Sequence, residues 1–377
     1  MDTSKYGRIR ELLHQHPELS GHEEYTSLTI RQILQTFSPH AIHSGIGGYG
    51  IIAEYNFSCD GPTLLFRADM DAVAVHEDLP LPYVSQCRGI AHKCGHDGHT
   101  AILLALAGML HENPLSRGRI LLLFQPAEET GQGAQAVLQD PFFRHNRVDY
   151  AFALHNLPGV PLNTIVCRTG SFTCAVISCT ITLQGRTAHA AEPEKALSPT
   201  PALLEIWKIA ESWDNNQPAA EDYFRSTLIE LHIGQEAYGV TAGSGLIRLT
   251  LRAAQQTTLD NRIHILENLM EKLTKNTGLA ARIEWLEAFT ANNNDPHTAT
   301  FIREAAAANH LNYVETDHPF AWGEDFGLFT QHYPGAMFGL GAGLSTPPLH
   351  SPEYDFPNEI IPTGASMFYK LIDLASR

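Results

Sequence analysis

Apolar positions along this chain come in short blocks, and several blocks end on a residue able to bind a proton or a metal ion. Apolar residues over 9–13 and, beyond Pro17, at Leu28, Ile30, Ile33 and Leu34 predict two helices broken at His16-Pro17. Runs over 50–55 and 63–66 predict strands, the second delivering Arg67-Ala68-Asp69-Met70-Asp71 at its end. Residues 100–111 are apolar on nearly every face, the pattern of a helix covered on both sides. Strands follow over 119–124, halted by Pro126 ahead of Ala127-Glu128-Glu129-Thr130-Gly131, and over 148–154, leading into His155-Asn156. Strands that hand over to ligand-type residues, with helices between several of them, predict a mostly parallel sheet whose carboxyl edge carries the site.

From about Ser178 the pattern changes. A strand over 180–183, a turn at Gly185–His189 and a helix over 199–213 precede half-exposed strands over 227–233 and 246–251, a helix over 263–274 and a strand over 282–288. Two strand-helix-strand sets in succession predict a small α+β sandwich. The α/β pattern then returns: a helix over 298–309, the loop Trp322-Gly323-Glu324-Asp325-Phe326, a strand over 336–340, and Pro348-Leu349-His350-Ser351-Pro352. The expected fold is therefore an α/β domain with a mostly parallel central sheet flanked by helices, interrupted by a smaller α+β sandwich. The boundaries are 1–177, 178–288 for the insert, and 289–377.

Composition narrows the partners. A chain of 377 residues with 44% hydrophobic and 18% charged residues is that of a soluble globular protein of about two domains. A net charge of −16 and a pI near 5.6 argue against nucleic acid or an anionic membrane as partner. Residues 1–10 lack the apolar core of a secretion signal, and the apolar run over 101–110 is too short to span a bilayer, so a cytoplasmic protein is expected. Six scattered cysteines, Cys59, Cys87, Cys94, Cys167, Cys174 and Cys179, are expected as free thiols, one of them a metal ligand.

The chemistry centres on His92-Lys93-Cys94-Gly95-His96-Asp97-Gly98-His99, which packs a soft thiolate and several imidazoles ahead of an apolar helix. With Asp69, Asp71, Glu128, Glu129, His155 and the late His350, the ligand-type residues at strand ends exceed what one metal needs. Two divalent ions sharing a ligand and a water would use such a set, and one carboxylate of the Glu128-Glu129 pair would remain as general base. Amide hydrolysis is the reaction this arrangement suits.

Those segments, together with Gln125-Pro126-Ala127, Leu154-His155-Asn156 and Gly323-Glu324-Asp325-Phe326, resemble in order the motif series of the metal-dependent amidohydrolases. The branch concerned holds hippurate hydrolase, N-acyl-L-amino-acid amidohydrolases, N-acetyldiaminopimelate deacetylase and auxin-conjugate hydrolases, within the aminoacylase and carboxypeptidase family. The resemblance implies that Cys94, His96, Glu129, His155 and His350 hold two divalent ions per subunit, with Cys94 as the bridge. Zinc is the first expectation, with manganese, cobalt or nickel as alternatives. It further implies that Glu128 is the general base, that Asp71 orients a ligand or the base, and that Asp69 lies outside the metal shell. The insert becomes a lid and possible homodimer contact, where Gly185–Ala191 resembles the segment whose histidine reaches the substrate carbonyl. His189 would then be catalytic and substrate-binding, and Arg252 would bind a substrate carboxylate. One departure stands out: relatives carry an Asn-Val-Ile-Pro-like lid segment, where this chain has Gly239–Ile247 without Asn or Pro.

The implied activity is hydrolysis of N-acyl amino acids, hippurate-like or N-acetylated, by metal-activated water. Cleavage of di- or tripeptides by the same chemistry, or a non-catalytic metabolite-binding relative, are the alternatives. A Cys94 thiolate nucleophile paired with His96 would leave Glu129, His155 and His350 without a task.

Overall fold

The structure, a computed structural model, describes residues 3–58, 60–220 and 222–376. Cys59 lies outside the described residues; the other five cysteines are free thiols. The chain divides into two compact units: Met1–Phe172 with Asn292–Asp317 and Asp325–Arg377, and Thr173–Ala291 with His318–Glu324.

Along the chain, helices α1 (Thr3–Gln15) and α2 (Glu24–Gln35) precede strands β1 (Ala41–Ile46), β2 (Gly50–Ser58) and β3 (Thr63–Asp69). Then come α3 (His96–Glu112), β4 (Gly118–Gln125), α4 (Gly133–Gln139), α5 (Pro141–His145), β5 (Tyr150–Pro158), β6 (Ile165–Cys167) and β7 (Gly170–Thr173). The second unit supplies β8 (Ala175–Gln184), α6 (Thr200–Glu211), β9 (Phe224–Ile233), β10 (Ser244–Ala253), α7 (Gln256–Thr277) and β11 (Ala280–Phe289). The chain then returns with β12 (Asn292–Asn294), α8 (Pro296–Ala308), β13 (Tyr313–Glu315), α9 (Gly327–His332), β14 (Gly335–Gly343) and α10 (Ile361–Ala375).

Among the described residues, the first unit is built on an eight-stranded sheet in the order β1-β2-β4-β3-β5-β14-β6-β13. Its centre is parallel: β4 with β3, β3 with β5, and β5 with β14. The hairpin β1–β2 joins antiparallel at one side, and β14 meets β6 antiparallel near the other. Parallel strands buried on both faces need continuous apolar runs, and Leu64–Phe66, Ile120–Phe124 and Ala151–Ala153 supply them, all wholly buried. The register pairs Asp69 with Gln125 and Arg67 with Ala153. The polar residues that follow each run are thereby brought level at the carboxyl edge.

Helix α3 packs against β3, α1 and α10 and is enclosed on every face from His96 to Gly108. That enclosure explains its uniformly apolar sequence. The second unit has its own antiparallel sheet, β11-β8-β10-β9, and its own core, in which Leu203 and Ile206 of α6 and Leu266 and Leu269 of α7 join Ile181, Leu249 and Leu251 of the strands. No helix among the described residues is long and apolar enough to cross a membrane.

The enclosure of α3 gives a direct expectation. Leu103, wholly buried at its middle, when cut to Ala should cost about 2–5 kcal/mol of stability by denaturant titration. A loss below about 1 kcal/mol would mean that the helix is not fully enclosed.

Candidate metal centre

Three local turns aim the polar residues inward. Between Cys94 and His96, Gly95 takes φ 96°, a left-handed conformation that favours glycine. A Cβ there would also come within 2.7 Å of Asn156 Oδ1 and 2.8 Å of Tyr354 Oη. After β4, Ala127 stands at φ 55°, turning the chain so that Glu128 and Glu129 follow immediately. That conformation costs a Cβ-bearing residue roughly 1–2 kcal/mol and has to be held by its surroundings. His350 likewise sits at φ 63°, its amide donating to Lys93 O at 2.7 Å and so tying the last candidate ligand to the Cys94 segment.

Two triads of donor atoms result, Cys94 with His96 and His155, and Cys94 with Glu129 and His350, the atoms of each lying within 4.8 Å of one another. They share the Cys94 sulfur. Cys94 Sγ is 3.6 Å from His155 Nε2, His96 Nε2 is 3.7 Å from Glu129 Oε1, and His350 Nε2 is 3.5 Å from the same oxygen. The nitrogen–oxygen separations are too long for good hydrogen bonds. Within the triads, the Cys94–His155 and His350–Glu129 separations match the roughly 3.3–3.8 Å between two atoms sharing a tetrahedral ion at bond lengths of about 2.0–2.3 Å, while His96 faces Glu129 from one triad to the other. His96 Nε2 and Glu129 Oε1 are moreover buried without hydrogen-bond partners. A divalent cation fits this donor set on both counts.

Hydrogen bonds fix which ring nitrogens are offered. His96 Nδ1 donates to Asp71 O at 3.0 Å, with Asp71 Oδ1 at 3.2 Å, which reserves Nε2 for a cation that displaces its proton. His155 Nδ1 donates to Asn156 O at 2.9 Å, which leaves the His155 Nε2 facing Cys94 as the lone-pair nitrogen. Asp71 Oδ2 accepts from the Ser20 hydroxyl at 2.7 Å and the Glu129 amide at 3.0 Å, so one carboxylate steadies a histidine and the Glu129 backbone together. Glu128 is nearly buried, its Oε2 3.9 Å from His96 Nε2.

The electrostatics call for positive charge. Burial disfavours a charged His96, yet Asp69, Asp71 and Glu129 outweigh it and push its pKa up to about 10. Burial pushes the Cys94 thiol well up, and Glu129, Glu128 and Asp69 push the same way. Burial and the neighbouring His99 hold His155 well below the usual histidine range, the neutral form that binds metals. A thiolate nucleophile needs a depressed pKa, and this environment provides the opposite.

Around the donors lies a layer of polar residues whose partners the sequence does not reveal. His99 bridges Asp69 Oδ1 and Asn156 Oδ1, 2.6 Å from each, and Asn156 Nδ2 donates to the buried Tyr354 Oη at 2.6 Å. Arg67 donates to Asp69 and to Asp325, both at 2.7 Å, and to Gln125 Oε1 at 2.9 Å. Asp325 also accepts from the Ala134 amide in the first turn of α4 at 2.8 Å, bracing the floor of the site. Beneath the Cys94 turn, His14 joins Asp97 at 2.8 Å and Glu77 at 2.9 Å, Arg10 reaches Asp97 and Asp355, and Lys93 pairs with Glu77. Arg10 and His14 lie in a helix whose pattern reads as scaffold, and no spacing within it points to Asp97 or Glu77.

His189 and Arg252 belong to the second unit. His189 is exposed, its segment bridging to Val240 and its Nδ1 accepting from the Ala191 amide at 3.1 Å. Arg252 donates to Ala321 O at 3.0 Å, holding the 318–324 segment of that unit.

Comparison with known proteins gives a consistent answer. The model of the family described as peptidase family M20/M25/M40 matches residues 65–374. The chain is 31% identical to the N-acetyl-L-cysteine deacetylase of Bacillus subtilis (strain 168), over 88% of this chain and 79% of that one. It is 30% identical to the N-acetyldiaminopimelate deacetylase of Lactobacillus helveticus, over 93% and 92%. Among solved structures, the Bacillus subtilis YxeP protein, described as a dinuclear metal binding peptidase from the M20 family, superposes with a TM-score of 0.83. It is 26% identical, over 99% of this chain and 97% of that one.

The charged layer beneath the Cys94 turn predicts a pH dependence of stability. Burial works against a charged His14, but Asp97 and Glu77 raise its pKa from 6.5 to about 9. Its contribution is therefore complete below pH 6.5 and is lost as pH rises through about 9. Burial raises and His14 and Lys93 lower Glu77, from 4.5 to about 2, so its contribution fades as pH falls from 4.5 toward 2. Thermal melts from pH 6 to 10 should show the alkaline loss in the wild type and a flatter profile in His14→Gln. Identical slopes would remove His14 from this role.

Proposed function

We propose, for a chain that belongs to peptidase family M20/M25/M40 and is a metal-dependent hydrolase of carbon–nitrogen amide bonds, that it deacylates small N-acyl amino acids. The observation that supports the reading is the pair of donor triads sharing Cys94, with Glu128 beside them. Two divalent ions per subunit would be held by Cys94, His96, Glu129, His155 and His350. Bound there, they would supply Lewis acidity at the acyl carbonyl and acidify the attacking water. Mixed sulfur, nitrogen and oxygen donors suit zinc first, then manganese, cobalt or nickel.

The chain's own residues divide the remaining work. Glu128 takes the proton of the water and returns it to the leaving nitrogen, a role for a carboxylate close to the donors. Asp71 keeps His96 and the Glu129 backbone in register. In the insert, assigned as residues 178–288, the His189 Nδ1 acceptor leaves Nε2–H to donate to the acyl oxygen as negative charge develops. Arg252, with one guanidinium nitrogen committed to Ala321 O, has further donors for the carboxylate of the amino acid. N-acetyl groups are favoured over benzoyl groups because both named relatives act, by their names, on N-acetyl compounds. The insert is also assigned as a lid and dimer contact, its edge strand β9 exposing Ile229. The assigned compartment is the cytoplasm.

The first test is turnover of N-acetyl-L-cysteine, N-acetyldiaminopimelate, N-benzoylglycine and dipeptides after chelation and single add-back of zinc, manganese, cobalt or nickel. Metal-restored release of amino acid from the N-acetyl compounds is expected. Release from dipeptides alone would transfer the chain to peptide cleavage.

Replacing the base separates chemistry from metal binding. Glu128→Gln should keep its metal content and lose about two to four orders of magnitude in kcat. Cys94→Ser should lose metal; a variant with full metal and no activity would instead make the thiol a nucleophile.

A further inference from the structure

The connection between α1 and α2 runs against the turn that carries Glu128. Glu18 O accepts the Ala72 amide at 2.8 Å, which fastens this connection to the segment after β3. Ser20 donates to Asp71, the same carboxylate oxygen that accepts the Glu129 amide. Glu23, wholly buried, accepts the Ala127 amide through Oε1 at 2.8 Å, while its Oε2 has no hydrogen-bond partner. Ala127 is the residue at φ 55°, and its carbonyl is occupied by the Gly133 amide at 3.0 Å and the Thr130 hydroxyl at 3.2 Å.

We propose that Glu23 is a positioning residue: its carboxyl clamps the Ala127 amide, holds the left-handed turn, and thereby keeps Glu128 aimed at the reacting atoms. The inference rests on Glu128 acting as the base. A residue with a Cβ leaves the left-handed region once the contacts that over-determine it are removed. Relaxation of Ala127 to negative φ would rotate the next peptide and carry Glu128 with it. A buried carboxyl with one idle oxygen is a poor choice for stability alone, since it sets a desolvation cost against contacts with backbone amides only. Burial pushes this carboxyl up, against the backbone amides of Glu23, Gly21 and Ala127, which pull it down.

The clamp requires an acceptor at Oε1, not a charge, and this separates it from a general packing role. Four variants, each loaded with the metal that restores the wild type, test it on the fastest N-acetyl substrate: Glu23→Gln, Glu23→Ala, Ala127→Gly, and Glu23→Ala combined with Ala127→Gly. Glu23→Gln should stay near wild type. Glu23→Ala should lose about tenfold or more in kcat with KM changed by less than about threefold. Adding Ala127→Gly should restore most of that kcat, because glycine holds positive φ without a clamp.

A wild-type kcat in Glu23→Ala, no recovery in the double variant, or a loss that tracks metal content measured on each protein would overturn the inference. If Glu23→Ala does not fold, Glu23→Met, similar in size and unable to accept, carries the same arms. Glu128→Gln runs beside them. Its inactivity with a fully active Glu23→Ala sinks only the clamp, whereas full activity of Glu128→Gln sinks the base assignment itself.

Discussion

Carboxylates gathered at one buried edge of a sheet repel one another, and the first unit is arranged around keeping them there. Asp69, Asp71, Glu128, Glu129 and Cys94 all lie within reach of His96, and burial alone would drive such groups neutral or apart. What keeps them in place is a graded set of opposing partners. Arg67 holds Asp69 and Asp325 from below, His99 holds Asp69 from the side, and Ser20 and the Glu129 amide hold Asp71. The unsatisfied remainder, His96 Nε2 and Glu129 Oε1, is what a bound cation would balance.

Precision in such a site comes from dividing the task among elements that cannot move independently. Each parallel strand delivers one polar segment, and the register between β3, β4 and β5 sets their relative height. The helix α3 carries His96 at its first turn and is locked by packing on all sides, so the imidazole inherits the rigidity of the core. Arg10, His14, Glu77, Lys93 and Asp97 do for the Cys94 turn what apolar packing does for α3. A charged layer of this kind specifies one arrangement, since removing any partner strands a buried charge at a cost of roughly 3–5 kcal/mol.

Much of this is legible in the order of residues alone. Apolar runs that end in Asp69, Glu128 and His155 mark strands whose ends face a common crevice, and the change of period after Ser178 marks the strand-helix-strand pattern of the second unit. Other parts leave no local signal. Strands β6 and β13 have only three residues each, too few for any periodicity, and β1 alternates poorly because Ser44 and Gly45 face solvent. Helix α10 has a clear apolar face at Ile361, Ala365, Phe368 and Ile372, but the sequence does not say that α3 and α8 are what it packs against. The contacts of Arg67 with Asp325 and of Glu23 with Ala127 join residues 258 and 104 positions apart, and nothing in either segment names the other. The side chain of Asp325 accepts from Arg67, Gln125 and the Ala134 amide, three partners far from it in the chain. The positive φ of Ala127 is equally silent, because alanine, unlike glycine, gives no warning of it.

The strand order carries a consequence for how the molecule comes into being. Strand β14 lies between β5 and β6, although it is made long after both, with the whole second unit translated in the interval. A ribosome therefore releases β5 with one hydrogen-bonding edge unanswered, and the nascent sheet waits for a strand from the last part of the chain. His350 emerges later still. The donor triad of Cys94, His96 and His155 is therefore written into the chain long before the triad that needs His350. The paired triads become whole only when the last strand has entered the sheet, so the site is the last thing the fold makes.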